Sequence, residues 1–323
     1  MKRGMVLGKF MPPHAGHVAL CEFAQSSCDE LAIVVGSLAR EPIPGALRFA
    51  WMKELFPRAH VVHLTDENPQ YPHEHPRFWE IWEASLRRVL PWPLDVVFAA
   101  EDYGGPLAKV LGASFVPLDR NTGIPISGTA IREDPLAHWE HIPPCVRPYF
   151  TKRISIFGPE STGKTTLAQK LAERFATVVV PEYARTHLER TKPERVTADD
   201  IDAIVRGQIA SERALERSAN RILFSDTDVL ATVLWSETLV GSCPDWIRQA
   251  ARERTYDLTL LCDADVPWEA DPVRYLPNEG RAFFTRCEAI LKGHGRAFTV
   301  VRGSWDERLA IAIAAVQAAT RLP

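Results

Sequence analysis

The chain lacks what would tie it to a membrane or to an oxidising compartment. No apolar run approaches the ~18–20 residues that a bilayer span requires. The opening MKRGMVLGKF carries basic residues but no apolar stretch long enough for a secretory signal. Only six cysteines occur in 323 residues (Cys21, Cys28, Cys145, Cys243, Cys262 and Cys287), and none forms a CxxC pair. That scatter excludes the usual zinc spacing and a disulfide frame, and predicts reduced packing thiols in a cytoplasmic protein. Excess charge is missing as well. Against 41 acidic residues stand 38 basic ones, a net charge of −3, so no global field favours nucleic acid and none is expected as a partner. Repeats and low-complexity tracts are absent.

What is present is ordinary globular composition, 46% hydrophobic and 24% charged, over a length that predicts two domains. Two segments share one grammar of apolar strand, glycine-bearing loop and helix: MVLGKFMPPHAGHVALCEFAQS and RISIFGPESTGKTTLAQKLAERF. Each is followed by another apolar run, ELAIVVGS in the first half and TVVVP in the second. HVVHL, DVVFAA, RILFSD, YDLTLLCD and AFTVVRG read as further strands. Strands alternating with helices predict an α/β fold with parallel sheets. Thr197 to Asn220 reads as one helix, with Thr197 as N-cap and Asp199 and Asp200 in its first turn. DERLAIAIAAVQAAT reads as a closing helix. The three prolines of HIPPCVRPYFTKR mark a connector near residues 142–152, giving expected domains of 1–147 and 148–323.

The second glycine loop carries the sharper chemistry. GPESTGKT, from Gly158 through Pro159, Glu160, Ser161, Thr162, Gly163 and Lys164 to Thr165, matches G-x-x-x-x-G-K-[ST] between a strand and a helix. In that context the loop N–H groups and the helix N-terminus, with Thr166 following, wrap the phosphates of ATP. Lys164 adds charge near the β- and γ-phosphates and the Thr165 hydroxyl ligates Mg²⁺. ILFSDTD ends a strand in Asp226 and Asp228, one of which, Asp226 first, is expected to complete the metal site. PEYAR supplies Glu182 and Arg185 at another strand end. Glu182, Asp226 and Asp228 all remain candidates to receive an acceptor hydroxyl proton. Later, Asp265, Trp268, Asp271 and Arg274 form a polar loop whose tryptophan either stacks on a flat cationic ring or packs at the edge of a lid.

The first loop, GKFMPPHAGH, places His14 and His17 where a loop enters a helix, on one side of it. Helix N–H groups point the same way, which favours an anion between the imidazoles. Gly8 and Gly16 permit close backbone approach, and Pro12 and Pro13 stiffen the loop. A metal pair is the alternative, without an evident third ligand; His73 and His75 in PHEHP read as loop residues for the same reason. PISGTAIRED adds Ser127, Thr129 and Arg132, hydroxyls and an arginine at another helix entry, as a second phosphate clamp.

Together, GxFxPxHxGH and ISGTxIR resemble the HxGH nucleotidyltransferases, and their pairing with a downstream P-loop resembles the NadR-type bifunctional proteins. The likeness extends through REPIPGALRFAWMKELFP, DENPQYPHEHPRFWEIW, AAEDYGGPLAKVLGA, HWEHIPPCVRPYF, PEYAR, FSDTD and DVPWEADPVR. It implies a Rossmann-like adenylyltransferase domain that joins ATP and nicotinamide mononucleotide into NAD and pyrophosphate. It also implies a P-loop kinase domain that phosphorylates ribosylnicotinamide with ATP and Mg²⁺. In the first domain Lys9, Phe10, His14, His17, Thr129 and Arg132 would surround the triphosphate, and Trp79, Asp102 and Tyr103 the substrate. In the second, Arg185, Trp268, Asp271 and Arg274 would contact substrate. Some members begin with a helix-turn-helix segment, whereas this chain starts at the adenylyltransferase strand, so repressor function is not expected. LDRNTGIP departs from the familiar pattern and leaves the role of Arg120 open. Rival readings are a flavin or coenzyme A adenylyltransferase fused to another kinase, and a nucleotide-sensing regulator. Assembly into a homo-oligomer is left open.

Overall fold

The computed structural model describes residues 1–118, 124–269, 274–276 and 279–322. The chain divides into two compact units, Met1–Arg147 and Pro148–Pro323.

The first unit is built on β1 (Arg3–Gly8), β2 (Glu30–Gly36), β3 (His60–Leu64), β4 (Val96–Ala99) and β5 (Ser114–Pro117). They form one parallel sheet in the order β3-β2-β1-β4-β5. Its central strands are buried on both faces, which is why they read as unbroken apolar runs instead of alternating patterns. Val6, Ile33, Val35, Val96 and Phe98 point to one face and pack on Leu20, Cys21, Ala24 and Met52 of helices Ala15–Ser27 and Gly45–Leu55. Met5, Val34 and Val97 point to the other, against Leu86, Leu107 and Leu111 of helices Phe78–Val89 and Gly104–Leu111. Because the chain winds outward from β1 and then returns beside it as β4, a crevice opens between these strands at their carboxyl ends. Ligands of open α/β sheets bind there.

The second unit repeats the plan with β6 (Lys152–Phe157), β7 (Val178–Val180), β8 (Ile222–Asp226), β9 (Leu258–Cys262) and β10 (Phe298–Val301), all parallel, in the order β10-β9-β6-β8-β7. Helix Lys164–Arg174 presents Leu167, Ala168, Leu171 and Ala172 as one buried stripe. It packs on Ile154, Ile156 and Phe224 of the sheet. Truncating the fully buried Leu171 to alanine would cost about 2–5 kcal/mol, enough to threaten the helix that carries the P-loop.

The helix expected from Thr197 to Asn220 runs Ala198–Leu215 and ends in a tighter turn, Glu216–Ser218. Its start is as expected, since Thr197 and Asp200 cap one another reciprocally. β5 was not anticipated: SFVP is four residues long and never fully buried, too weak a pattern to read. The connector contains a short helix, Arg147–Phe150. All six cysteines are free thiols, and burial pushes Cys262 and Cys287 up to about 12, which makes them inert packing groups. No helix among the described residues is long and apolar enough to cross a membrane.

Candidate active sites

In the first unit the loop after β1 turns through Phe10, whose φ of 48° is left-handed. His14 then caps helix Ala15–Ser27, its Nδ1 accepting from the His17 N–H at 3.4 Å. The two imidazoles stack with centroids 3.7 Å apart, and the Phe10 ring meets His17 edge-on at 5.0 Å. Stacking and capping fix both rings at the helix N-terminus, where the backbone dipole favours an anion. The same loop touches the ISGT segment. Arg132 Nη1 donates to the Met11 carbonyl at 2.5 Å and Nη2 to Thr129 Oγ1 at 3.1 Å. A Cβ on Gly128 would fall 2.6 Å from the Met11 oxygen, so only glycine lets the two segments meet. Ser127 caps the following helix by accepting from Ala130 N–H. His14, His17, Thr129 and Arg132 are thus brought to one place.

Lys9 faces elsewhere for part of its charge: its Nζ lies 2.9 Å from Glu41 Oε1. Glu41 also pairs with Arg48, a wholly buried arginine that the sequence reading passed over. Arg48 donates to the Lys9, Gly36 and Ile43 carbonyls and to Glu41, fastening the loops after β1 and β2 together. Burial pushes the Glu41 carboxyl up, but the Leu38 N–H, Lys9 and Arg48 outweigh it and hold it below the ordinary range. Tyr103 donates its hydroxyl to the Leu7 carbonyl at 2.5 Å, closing the β1–β4 crevice, while Asp102 is exposed beside it. Trp79 is half-buried against Phe78 and the core under β1.

In the second unit, Gly158 and Gly163 have φ of 139° and 75°, the left-handed region that a Cβ would strain. A Cβ on Gly158 would also strike the Cys262 carbonyl at 2.6 Å. Lys164 Nζ and Thr162 Oγ1 both donate to the Pro159 carbonyl, which shapes the loop. Thr165 Oγ1 donates to Asp226 Oδ2 at 2.6 Å, and the other Asp226 oxygen is buried without a hydrogen-bond partner among the described residues. Burial pushes the Asp226 carboxyl up, against the pull of Lys164 and Thr165. Beside the loop, a pocket is lined by Glu182, Arg185, Thr227, Arg274 and Tyr275, with an apolar wall that includes Ile201, Ile204 and Trp235. Thr227 Oγ1 donates to Glu182 Oε1 at 3.4 Å. Burial raises the Glu182 carboxyl, Lys164 lowers it and Asp226 raises it further.

One expectation needs correction. Asp228 does not face the pocket. It is fully buried, caps helix Val229–Leu239 through the Ala231 N–H, and is bound by Arg296 at 2.5 Å. The cause is Thr227, whose φ of 76° breaks the strand alternation that would have set Asp226 and Asp228 side by side. Trp268 is half-buried, its Nε1 without a hydrogen-bond partner among the described residues, and the aromatic residues that line the pocket among the described ones are Trp235 and Tyr275. Glu160 and Ser161 line the pocket beside the loop, and their side chains also brace the segment that follows β9. Glu160 accepts from the Tyr275 and Leu276 N–H groups, and Ser161 from the Glu269 N–H and from Arg274. Asp271 and Arg120 lie outside the described residues. A second arginine was missed here too. Arg308, 2% exposed, donates to the Thr162 and Asp263 carbonyls and pairs with Asp265, tying the P-loop to the loop after β9.

Residues 153–308 match the family model described as AAA domain. The Trifunctional NAD biosynthesis/regulator protein NadR of Escherichia coli K12 is 30% identical over 295 residues, covering 84% of this chain and 72% of that protein. The nicotinamide-nucleotide adenylyltransferase of Thermococcus onnurineus is 26% identical over 195 residues, 56% of this chain and 99% of that enzyme. Among solved structures, a NadR protein in complex with NAD and AMP-PNP superposes with a TM-score of 0.83 at 24% identity, covering 100% of this chain and 97% of its own. That superposition shows a shared fold.

Proposed function

This chain belongs to the NadR family, and we propose that its two units carry out successive steps of NAD synthesis, residues 148–323 making nicotinamide mononucleotide and residues 1–147 converting it to NAD. The observation that carries this reading is a phosphate-gripping loop leading into a helix at the carboxyl edge of each sheet, His14–His17 in one and Gly158–Thr165 in the other. The relatives' names supply the substrates, and the geometry supplies the roles.

In the second unit ATP phosphorylates the ribose hydroxyl of ribosylnicotinamide, bound in the pocket beside the P-loop. Lys164 and the loop N–H groups hold the phosphates in line with the acceptor. Glu182 reaches the pocket and takes the hydroxyl proton, burial raising its affinity for that proton above an ordinary carboxylate's. Thr165 and Asp226 fit Mg²⁺: both are hard oxygen donors, and Asp226 keeps one buried oxygen without a hydrogen-bond partner among the described residues. Held by Thr165 and Asp226, the ion would supply positive charge to offset that of the triphosphate.

In the first unit the nucleophile is the 5′-phosphate of the mononucleotide, already anionic, so no base is needed. Its oxygen bonds to the α-phosphorus of ATP as the α–β bridging bond breaks and pyrophosphate leaves. His14, His17, Thr129 and Arg132 hold the triphosphate and stabilise the charge that builds on it, with Lys9 nearby. We assign the mononucleotide to Trp79, Asp102 and Tyr103, an assignment supported by the Tyr103 hydroxyl reaching the end of β1. Mass spectrometry of purified protein given ATP with either mononucleotide or nucleoside tests the reading. NAD and mononucleotide, respectively, are the expected products; neither forming would refute it.

A further inference from the structure

Trp305 opens helix Trp305–Thr320 and leaves 52% of its surface to solvent, unusual for so large a ring. The ring is nevertheless fixed. Ser304 and Glu307 cap the helix reciprocally, and the Gly303 N–H donates to Asp265 at 2.7 Å. Arg308, itself buried and bound to the P-loop, places its guanidinium 5.5 Å from the ring centroid. The ring lies directly against the P-loop, since a Cβ on Gly163 would fall 2.4 Å from it.

The sheet order says what this surface faces. The acceptor pocket is reached from the ends of β7 and β8, which lie on one side of β6, through Glu182 and Thr227. Trp305 follows β10, on the other side. In-line transfer sets the γ-phosphorus between the acceptor and the rest of the nucleotide. The remainder of ATP therefore runs away from the pocket, across Gly163, toward β9 and β10. We propose that Trp305 is the platform on which the adenine of ATP stacks in the second unit. The proposal rests on the kinase reading of this pocket. Arg308 holds the platform in place and Gly163 lets it approach the phosphate loop. Base–aromatic stacking of this kind is worth about 10-fold to 100-fold in affinity.

The test uses the full chain with Trp305→Ala and Trp305→Phe. In the ribosylnicotinamide kinase assay, Trp305→Ala is expected to raise KM for ATP about 10-fold or more with kcat little changed, and Trp305→Phe to stay near the parent. Inorganic tripolyphosphate, which has no base, should inhibit parent and Trp305→Ala equally. An unchanged KM for ATP, or equal weakening of tripolyphosphate, would overturn the proposal, the latter because it reports a distorted P-loop. Photolabelling with 8-azido-ATP needs no acceptor: label on the peptide containing Trp305 supports the platform, and label in residues 148–323 only elsewhere contradicts it. A parent chain that phosphorylates no ribosylnicotinamide yet labels at Trp305 refutes the kinase reading and leaves the platform standing.

Discussion

The Thr165 hydroxyl donates to Asp226 Oδ2 across 2.6 Å, joining the last residue of the P-loop motif to the last residue of β8. Neither group is placed by its own local structure alone. The strand must run parallel to β6, in the observed register, for the contact to form. Asp226→Asn keeps the shape and removes the charge. It is expected to lower nucleoside phosphorylation by about 10²–10³ and to raise the Mg²⁺ concentration needed for activity. NAD formation from supplied mononucleotide should be unaffected, and steady-state assays of both reactions against Mg²⁺ check this.

Glu182 gives the kinase a pH signature. Burial raises its carboxyl above the ordinary value of about 4.3, Asp226 adds to that, and Lys164, Arg185 and Thr227 counter it. A base must be deprotonated to work, so the raised value moves the acid limb of kcat/KM upward, and activity is lost sooner as pH falls. Glu182→Gln should remove the limb and about 10²–10⁴ of the rate. The adenylyl transfer, which needs no base, should not share that limb.

Two buried arginines perform the same task in the two units. Arg48 fastens the Lys9 and Gly36 carbonyls in one, and Arg308 the Thr162 and Asp263 carbonyls in the other. Arg48→Met would take the buried partner from Glu41, leaving its carboxylate only the exposed Lys9 and the Leu38 N–H, and would orphan the carbonyls Arg48 binds, at a cost of about 3–5 kcal/mol. Asp265 is partly exposed, so Arg308→Met should cost less, about 1–3 kcal/mol from orphaned carbonyls. Melting curves give the stabilities. Paired activity assays should show Arg48→Met impairing NAD formation and Arg308→Met impairing phosphorylation.

The motifs were legible because phosphate chemistry needs particular residues at fixed local spacing. His14 and His17 cap and stack within one helical turn, and Gly158 to Thr165 build one loop. Arg48 and Arg308 were not legible, since an arginine on a helix reads as a surface charge until the sheet brings loop carbonyls to it. Asp228 was misread because the two-residue spacing of DTD implies a shared strand face, and nothing local announces that Thr227 turns left-handed. Trp235 was missed for a different reason. It lies in a helix buried along most of its length, where a tryptophan reads as core.

The central claim is that two complete sites work in one chain, and Lys164→Ala tests it most directly. Mass spectrometry would follow the full-length variant with ATP and either mononucleotide or nucleoside, beside the reciprocal His17→Ala. The account predicts that Lys164→Ala makes NAD from mononucleotide at the parental rate and makes no mononucleotide from nucleoside, and that His17→Ala does the reverse. Loss of both reactions in a folded Lys164→Ala protein would contradict it.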